Sequence, residues 1–177
     1  MRIIAGEWRG RAIEAPAGRE TRPTSDRARE GLFSMLQSRI GSFEGLQVAD
    51  LFAGTGALGL EALSRGAGHC VFVEKERAAI EAIRRNVARL GAESRADVRA
   101  QSIDHVALPP CDLLLMDPPY GKGLAQRGLD RAPEWLAPGG WIALETHGDE
   151  LAPPDGLIVE AERRFGKAKI LLLRNRT

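Results

Sequence analysis

Residues 48–59, VADLFAGTGALG, decide how this chain is read. A short apolar run, Val48 to Phe52, stops at Ala53-Gly54-Thr55-Gly56. Apolar residues then continue at helical spacing from Ala57 to Arg65, and Gly66 closes the segment. The pattern is strand, glycine turn, helix. Gly54, Gly56 and Gly59 fit G-x-G-x-x-G, and Glu74 follows Gly54 by twenty residues at the end of a second apolar strand, His69–Glu74. That spacing belongs to the first βαβ unit of a nucleotide-binding sheet, where the glycines let the backbone turn close to the ligand and the acid accepts hydrogen bonds from ribose hydroxyls.

The alternation continues outward. Arg77 to Leu90 presents Ile80, Ile83, Val87 and Leu90 on one helical face. Strands are expected near 97–101, 113–116 and 141–145, with a loop and helix over about 121–137. Residues 157–165 and 167–173 read as two strands joined at Gly166, which makes them antiparallel neighbours. Before the glycine unit, Ala28, Leu32, Phe33, Leu36 and Ile40 predict an amphipathic helix over about 26–40. Short segments at 2–5 and 11–15 predict a small hairpin. The fold class is therefore α/β: a mostly parallel, Rossmann-like, seven-stranded sheet with helices on both faces, an antiparallel last strand, and an N-terminal extension of β-hairpin plus helix. The division expected is 1–24 as hairpin and loop extension and 25–177 as the main domain.

With 177 residues, 44% hydrophobic composition and a net charge of +1, the chain can bury a proper core, and disorder is excluded. Residues 1–29 carry seven arginines against four acids, a basic start on a near-neutral body that fits contact with a polyanion, although charge alone favours a solvated arginine-rich surface. No apolar run approaches the ~18 residues of a membrane span, and no secretory h-region opens the chain. Cys70 and Cys111 lie inside apolar runs and form no disulfide framework, which fits a reducing cytoplasm. His69, Cys70, His105, Cys111 and His147 match no zinc spacing, so no metal is expected.

Asp50 bears on the ligand. A dinucleotide would bring its pyrophosphate to the helix N-terminus, where a nearby carboxylate repels it. S-adenosylmethionine has no phosphate and carries a cationic ammonium and sulfonium. An acid just before the glycine loop suits that ligand and opposes a nicotinamide dinucleotide.

The chemistry-bearing segment is Asp117-Pro118-Pro119-Tyr120 at the end of the apolar run 113–116. Exocyclic amines of bases are poor nucleophiles because the lone pair conjugates with the ring. A site that methylates one must hold it and accept its N–H protons. Asp117 accepts one and the Pro118 carbonyl the other; two prolines stiffen the loop that aims that carbonyl, and Tyr120 can stack on a base swung out of its helix. An ordinary Asp, with pKa about 3.9, is a weak base at neutral pH. Asp117 is therefore read as orienting and polarising the amine, with the proton leaving after methyl transfer.

D/N-PP-Y/F after an apolar strand resembles the signature of class I methyltransferases acting on amino groups. Together, MRIIAGEWRGRAIEAP, TRPTSDRAREGLFSML, DLFAGTGALGLEALSRGA and LLLMDPPYG resemble the RsmD-type family over nearly the whole chain. The resemblance implies methyl transfer from S-adenosylmethionine to the N2 amine of a guanine in bacterial 16S rRNA. The partner would be the 30S subunit or a late assembly intermediate, and the enzyme a cytoplasmic monomer. Carried over by position, the donor falls to Asp50, Phe52, Ala53, Gly54, Thr55, Gly56, Glu74 and Lys75, with Arg22, Pro23 and Thr24 folded over the pocket. Ser102 with the Ile103 backbone, or Asp104 one place late, would hold the adenine, and Asp117 also borders the donor. Asp117 to Tyr120 take the target amine. Arg2, Arg9, Arg11, Arg22 and Lys122 are the RNA-contact candidates. Arg127 and Arg131 read equally well as phosphate contacts or as solvated helix charges. Two other functions fit some of the motifs: DNA adenine-N6 methylation, for which 177 residues leave little room for target recognition, and a non-catalytic rRNA or assembly-factor binding module.

Overall fold

The computed structural model describes residues 1–16 and 23–177, the first three residues of the opening helix as backbone alone. The elements are α1 (Pro23–Ile40), β1 (Gln47–Leu51), α2 (Ala57–Ser64), β2 (His69–Glu74), α3 (Arg77–Arg89), β3 (Ala96–Ala100), β4 (Cys111–Met116), α4 (Leu124–Trp135), β5 (Leu136–Thr146), β6 (Leu157–Phe165) and β7 (Ala168–Asn175). The seven strands form one sheet in the order β3-β2-β1-β4-β5-β7-β6. All neighbouring pairs from β3 to β5 are parallel, and β7 runs antiparallel between β5 and β6. The strand order reverses between β1 and β4, so the loops after Leu51 and Met116 open side by side, where ligands bind in such sheets.

Two apolar layers flank the sheet. One joins Leu32, Phe33 and Leu36 of α1 with Leu60 and Leu63 of α2, Ile83 and Val87 of α3, and the strand residues Phe72, Leu113 and Leu172. The other joins Leu51, Val73, Leu114 and Ile142 with Leu129, Ala132 and Trp135 of α4 and with Ile103 and Val106 of the loop after β3. The central strands are buried on both sides, which is why Leu113–Met116 reads as a continuous apolar run. Among the described residues, no helix is long and apolar enough to cross a membrane.

Three segments differ from their sequence-based expectation. The helix expected over 26–40 begins at Pro23, because proline's fixed φ suits a first helical turn. The strand expected at 141–145 extends back to Leu136, with a register irregularity opposite Cys111/Leu113 that absorbs Pro138-Gly139-Gly140. The N-terminal hairpin reduces to a single antiparallel bridge between Arg2 and Ala12. Backbone bonds still join its two arms, from the Ile3 N–H to the Arg11 carbonyl at 2.9 Å, the Gly10 N–H to the Ile3 carbonyl at 2.9 Å and the Ile13 N–H to the Met1 carbonyl at 2.8 Å, and other backbone groups find partners on α2 and α3. The N–H groups of Ile4 and Ala5 donate to the buried Glu61 carboxylate at 2.9 and 3.1 Å, that of Trp8 donates to Ser64 Oγ at 3.0 Å, and that of Glu14 donates to Asn86 Oδ1 at 2.8 Å. Ile3, Trp8 and Ile13 are buried in the α1/α2 layer, and the Arg95 guanidinium sits 5.0 Å from the Trp8 ring centroid. Residues 1–15 thus complete the core. Trp8→Ala is expected to cost about 3–5 kcal/mol of folding stability, the usual loss for a buried Trp, as read by urea unfolding. A cost below about 1 kcal/mol would show that the segment is only laid on the surface.

Candidate active site

The glycine loop is shaped by backbone conformation. Phe52 (φ 60°) is the only non-glycine residue at positive φ among the described residues, and Gly54 and Gly56 follow at 58° and 83°. A non-glycine residue held left-handed stores strain of the kind that collects at functional sites. Gly59, one turn into α2, answers a different need. A Cβ there would meet the Phe72 ring at 2.4 Å and Cys70 Sγ at 2.7 Å, so only glycine lets α2 lie against β2. Space beside Gly54 is open, its nearest neighbour being a backbone oxygen at 4.0 Å.

Carboxylates hold this loop. Glu74 Oε1 accepts the Gly54 N–H at 2.9 Å, while its Oε2 accepts those of Lys75 and Glu76, each at 2.9 Å. One side chain therefore ties the end of β2 to the glycine loop and to the turn that leads into α3. Asp50 is buried, and its Oδ2 accepts the Gly59 N–H at 2.9 Å. The sequence places this acid beside the ligand; the structure shows that it also anchors the first turn of α2 from below. Burial drives its carboxyl well above the ordinary range, the Gly59 hydrogen bond opposes this, and the charges of Asp117 and Glu74 add to the rise. These acids feel one another, so each resists ionising in the space between the β1 and β4 loops; a cation placed there would relieve that cost, and a pyrophosphate would add to it.

Asp117 follows β4, and Tyr120 stands 71% exposed beyond it. Pro118 is buried, which fixes the loop that carries the Asp117 carboxyl and the Pro118 carbonyl. In the parallel register, Leu115 lies beside Ala143 and Met116 beside Leu144. The next step along both strands sets Asp117 beside Glu145. Asp117 is exposed as a residue, but protein surrounds its carboxyl closely enough that desolvation is the largest cause raising its pKa to about 8. The charge and hydrogen bond of Glu145 add to the rise, and His147 opposes it. Glu145 is itself raised by desolvation, so the pair holds a proton between them near neutral pH. His147 Nε2 lies 4.0 Å from Glu145 Oε1, and its ring meets Tyr120 edge-on with centroids 6.1 Å apart.

This changes the role available to Asp117. Its sequence suggests a carboxylate of ordinary pKa that only orients the amine. In place, its basicity is matched to neutral pH, which also suits it to take up a proton. A raised acid pKa favours the fold below the unfolded value of 3.8, and that advantage fades as pH climbs through about 8. Asp117→Asn is therefore expected to raise the melting temperature above pH 8 by about 2–4 °C, after discounting for solvent screening. It should do nothing of the kind near pH 4. A calorimetric scan at both pH values reads this out, and equal melting of variant and wild type at high pH would contradict the strained pair.

The remaining candidates divide. Ser102 Oγ accepts the Asp104 N–H at 3.1 Å, and Ile103 is buried beneath the loop after β3. Arg127 of α4 pairs with Asp104, and Arg131 donates to the Ile103 carbonyl and stacks on Trp135 at 4.7 Å. Both arginines thus pin the 102–104 loop, a role that neither reading of them included. Lys122 and Lys75 are exposed at the rim, and the Lys75 N–H is bound to Glu74. Arg2, Arg9 and Arg11 are exposed, with Arg2 donating to the Gly10 carbonyl at 2.7 Å and Arg11 to that of Arg89 at 2.8 Å. Arg22 lies outside the described residues, as do the side chains of Pro23 and Thr24. Cys70 and Cys111 are buried free thiols, and among the described residues no group of three or more His, Cys, Asp or Glu is placed to hold a metal. Glu145 and His147 were missed by motif reading. The only signal for them was the end of the strand in WIALETH, which becomes meaningful once β5 is known to adjoin β4.

Comparison with known proteins agrees with this geometry. The family described as Conserved hypothetical protein 95 matches residues 1–174. Ribosomal RNA small subunit methyltransferase D of Escherichia coli (strain K12) is 39% identical over 148 residues, covering 82% of this chain and 71% of that protein. The protein of the same name from Haemophilus influenzae is 34% identical over 184 residues, covering 99% of this chain and 94% of its own length. The solved Escherichia coli structure of yhhF superposes with a TM-score of 0.87 at 32% identity, covering 100% of this chain and 98% of that one. The chain belongs to this family, the RsmD family, and has the class I methyltransferase fold.

Proposed function

We propose that the protein transfers a methyl group from S-adenosylmethionine to the exocyclic N2 amine of a guanine in 16S rRNA, acting on the assembled 30S subunit or a late intermediate. The observation that carries this reading is the convergence of Asp50, Glu74, Asp117 and Glu145 at the β1/β4 switch point, between an open glycine loop and an exposed Tyr120. The names of its relatives in Escherichia coli and Haemophilus influenzae supply the small-subunit rRNA.

The residues present suit this donor: acids that resist ionising together favour a ligand with two cationic centres, and Glu74 can still accept from ribose hydroxyls beside its backbone donors. Phe52 to Gly56 would line the donor, Ser102 and Ile103 its adenine. When bound, S-adenosylmethionine supplies an electrophilic methyl carbon. Asp117 and the Pro118 carbonyl accept the two N–H bonds of the target amine and hold its nitrogen in line with that carbon, the source of most of the acceleration. Tyr120 stacks on the flipped base. Once methylated, the amine nitrogen would be acidic, and the Asp117 carboxyl in its ionised form would take up the proton it loses. The exposed Arg2 and Arg9 and the rim Lys122 would meet rRNA phosphates, with residues 1–24 as the contacting edge of the 25–177 domain, in a cytoplasmic monomer. The test is label transfer from the donor to small-subunit particles lacking the modification, with free rRNA, DNA and protein as controls. Incorporation into particles or rRNA supports the reading; blanks on all four refute it.

A further inference from the structure

We propose that Glu145 selects guanine, by accepting the N1–H of the target base while Asp117 accepts its N2–H. This rests on the reading above and names what that site recognises. Two carboxyls at adjacent strand ends, within hydrogen-bonding reach of each other, are an unfavourable pair once both give up their protons. A ligand with two neighbouring donors would relieve that repulsion. The Watson–Crick edge of guanine has this arrangement, since N1–H and one N2–H point the same way from adjacent atoms. The edge of adenine offers an amine donor beside a bare N1 acceptor, so a carboxylate opposite N1 meets a lone pair.

The parallel register of β4 and β5 brings the two acceptors together. The surrounding groups fix the approach of the base. Tyr120 is exposed, the His147 ring lies perpendicular to it with centroids 6.1 Å apart, and His147 Nε2 is 4.0 Å from Glu145 Oε1. Thr146, the next residue of β5, is buried and bonded to Asp149, so Glu145 is the side chain of that strand end that turns toward Asp117. DPPY alone specifies an amino group; Glu145 adds the atom next to it.

The probe is rRNA carrying 2,6-diaminopurine at the mapped target position, built in by ligating a synthetic segment and reconstituted into small-subunit particles. This base keeps the N2 amine but has no N1–H. Assays run above pH about 8, where Asp117 gives up its proton. Wild type should prefer guanine in kcat/KM by at least about tenfold, and Glu145→Gln, whose amide can face either N1–H or bare N1, should bring the ratio to about one. Donor binding by the variant, measured calorimetrically, should match wild type and so report that it folds. Equal wild-type rates on the two bases, or an unchanged ratio in the variant, overturn the assignment of Glu145. Failure of wild type to methylate the guanine particles themselves would instead remove the proposed function, and this inference with it.

Discussion

Replacing Asp117 with alanine is expected to lower kcat by about 10²–10³-fold or more, while the affinity for the methyl donor stays within about twofold of wild type. The magnitude follows from what one preorganised hydrogen-bond partner contributes at a reacting centre, and here the same carboxylate also receives the proton. The direction follows from position. Asp117 lies after β4 and faces Glu145, whereas the glycine loop and Glu74 bonds lie after β1 and β2. Loss of its side chain removes the acceptor for the amine without touching the bonds that shape the donor pocket. Single-turnover kinetics with saturating donor, paired with calorimetry, separate the two effects. Wild-type turnover in the variant would refute the role given to Asp117, and a large loss of donor binding would place it in the wrong half of the site.

Glu74→Ala should show the opposite pattern. Its carboxylate accepts the N–H groups of Gly54, Lys75 and Glu76 at 2.9 Å each. Removing it leaves the glycine loop and the turn before α3 without their shared acceptor and, on the proposed function, the donor without its ribose partner. Hydrogen bonds to a charged group are worth about 1.5–3 kcal/mol each, so two lost contacts predict a rise of about 100-fold or more in Kd for the donor or its demethylated product. At saturating donor, kcat should recover to within about tenfold. A variant that binds the donor normally would mean that Glu74 serves the loop alone.

Much of this site could be read from local pattern. The glycine loop, Glu74 and DPPY each lie within one strand–loop unit, where period and punctuation are visible in the sequence, and the strand alternation placed them on one edge of a parallel sheet. What escaped were contacts between segments far apart in the chain. Glu145 becomes a neighbour of Asp117 only through the β4/β5 register, which no short window encodes. Arg127 and Arg131 read equally as phosphate contacts or solvated charges, and their bonds to Asp104 and to the Ile103 carbonyl were not legible. Residues 1–15 looked like an appendage because alternation there was short; their backbone partners, Glu61, Ser64 and Asn86, lie more than fifty residues away. The shift in Asp117 basicity was likewise invisible, since it comes from crowding and from a second acid on another strand.

The central claim is that two acceptors at the ends of β4 and β5 present the N2 amine of a guanine for methylation. The measurement that tests it most directly is complete digestion of rRNA from treated small-subunit particles, followed by mass identification of the labelled nucleoside. The account predicts N2-methylguanosine as the labelled product. Label in N6-methyladenosine, in a ring-nitrogen or ribose methyl, or in ribosomal protein would contradict it.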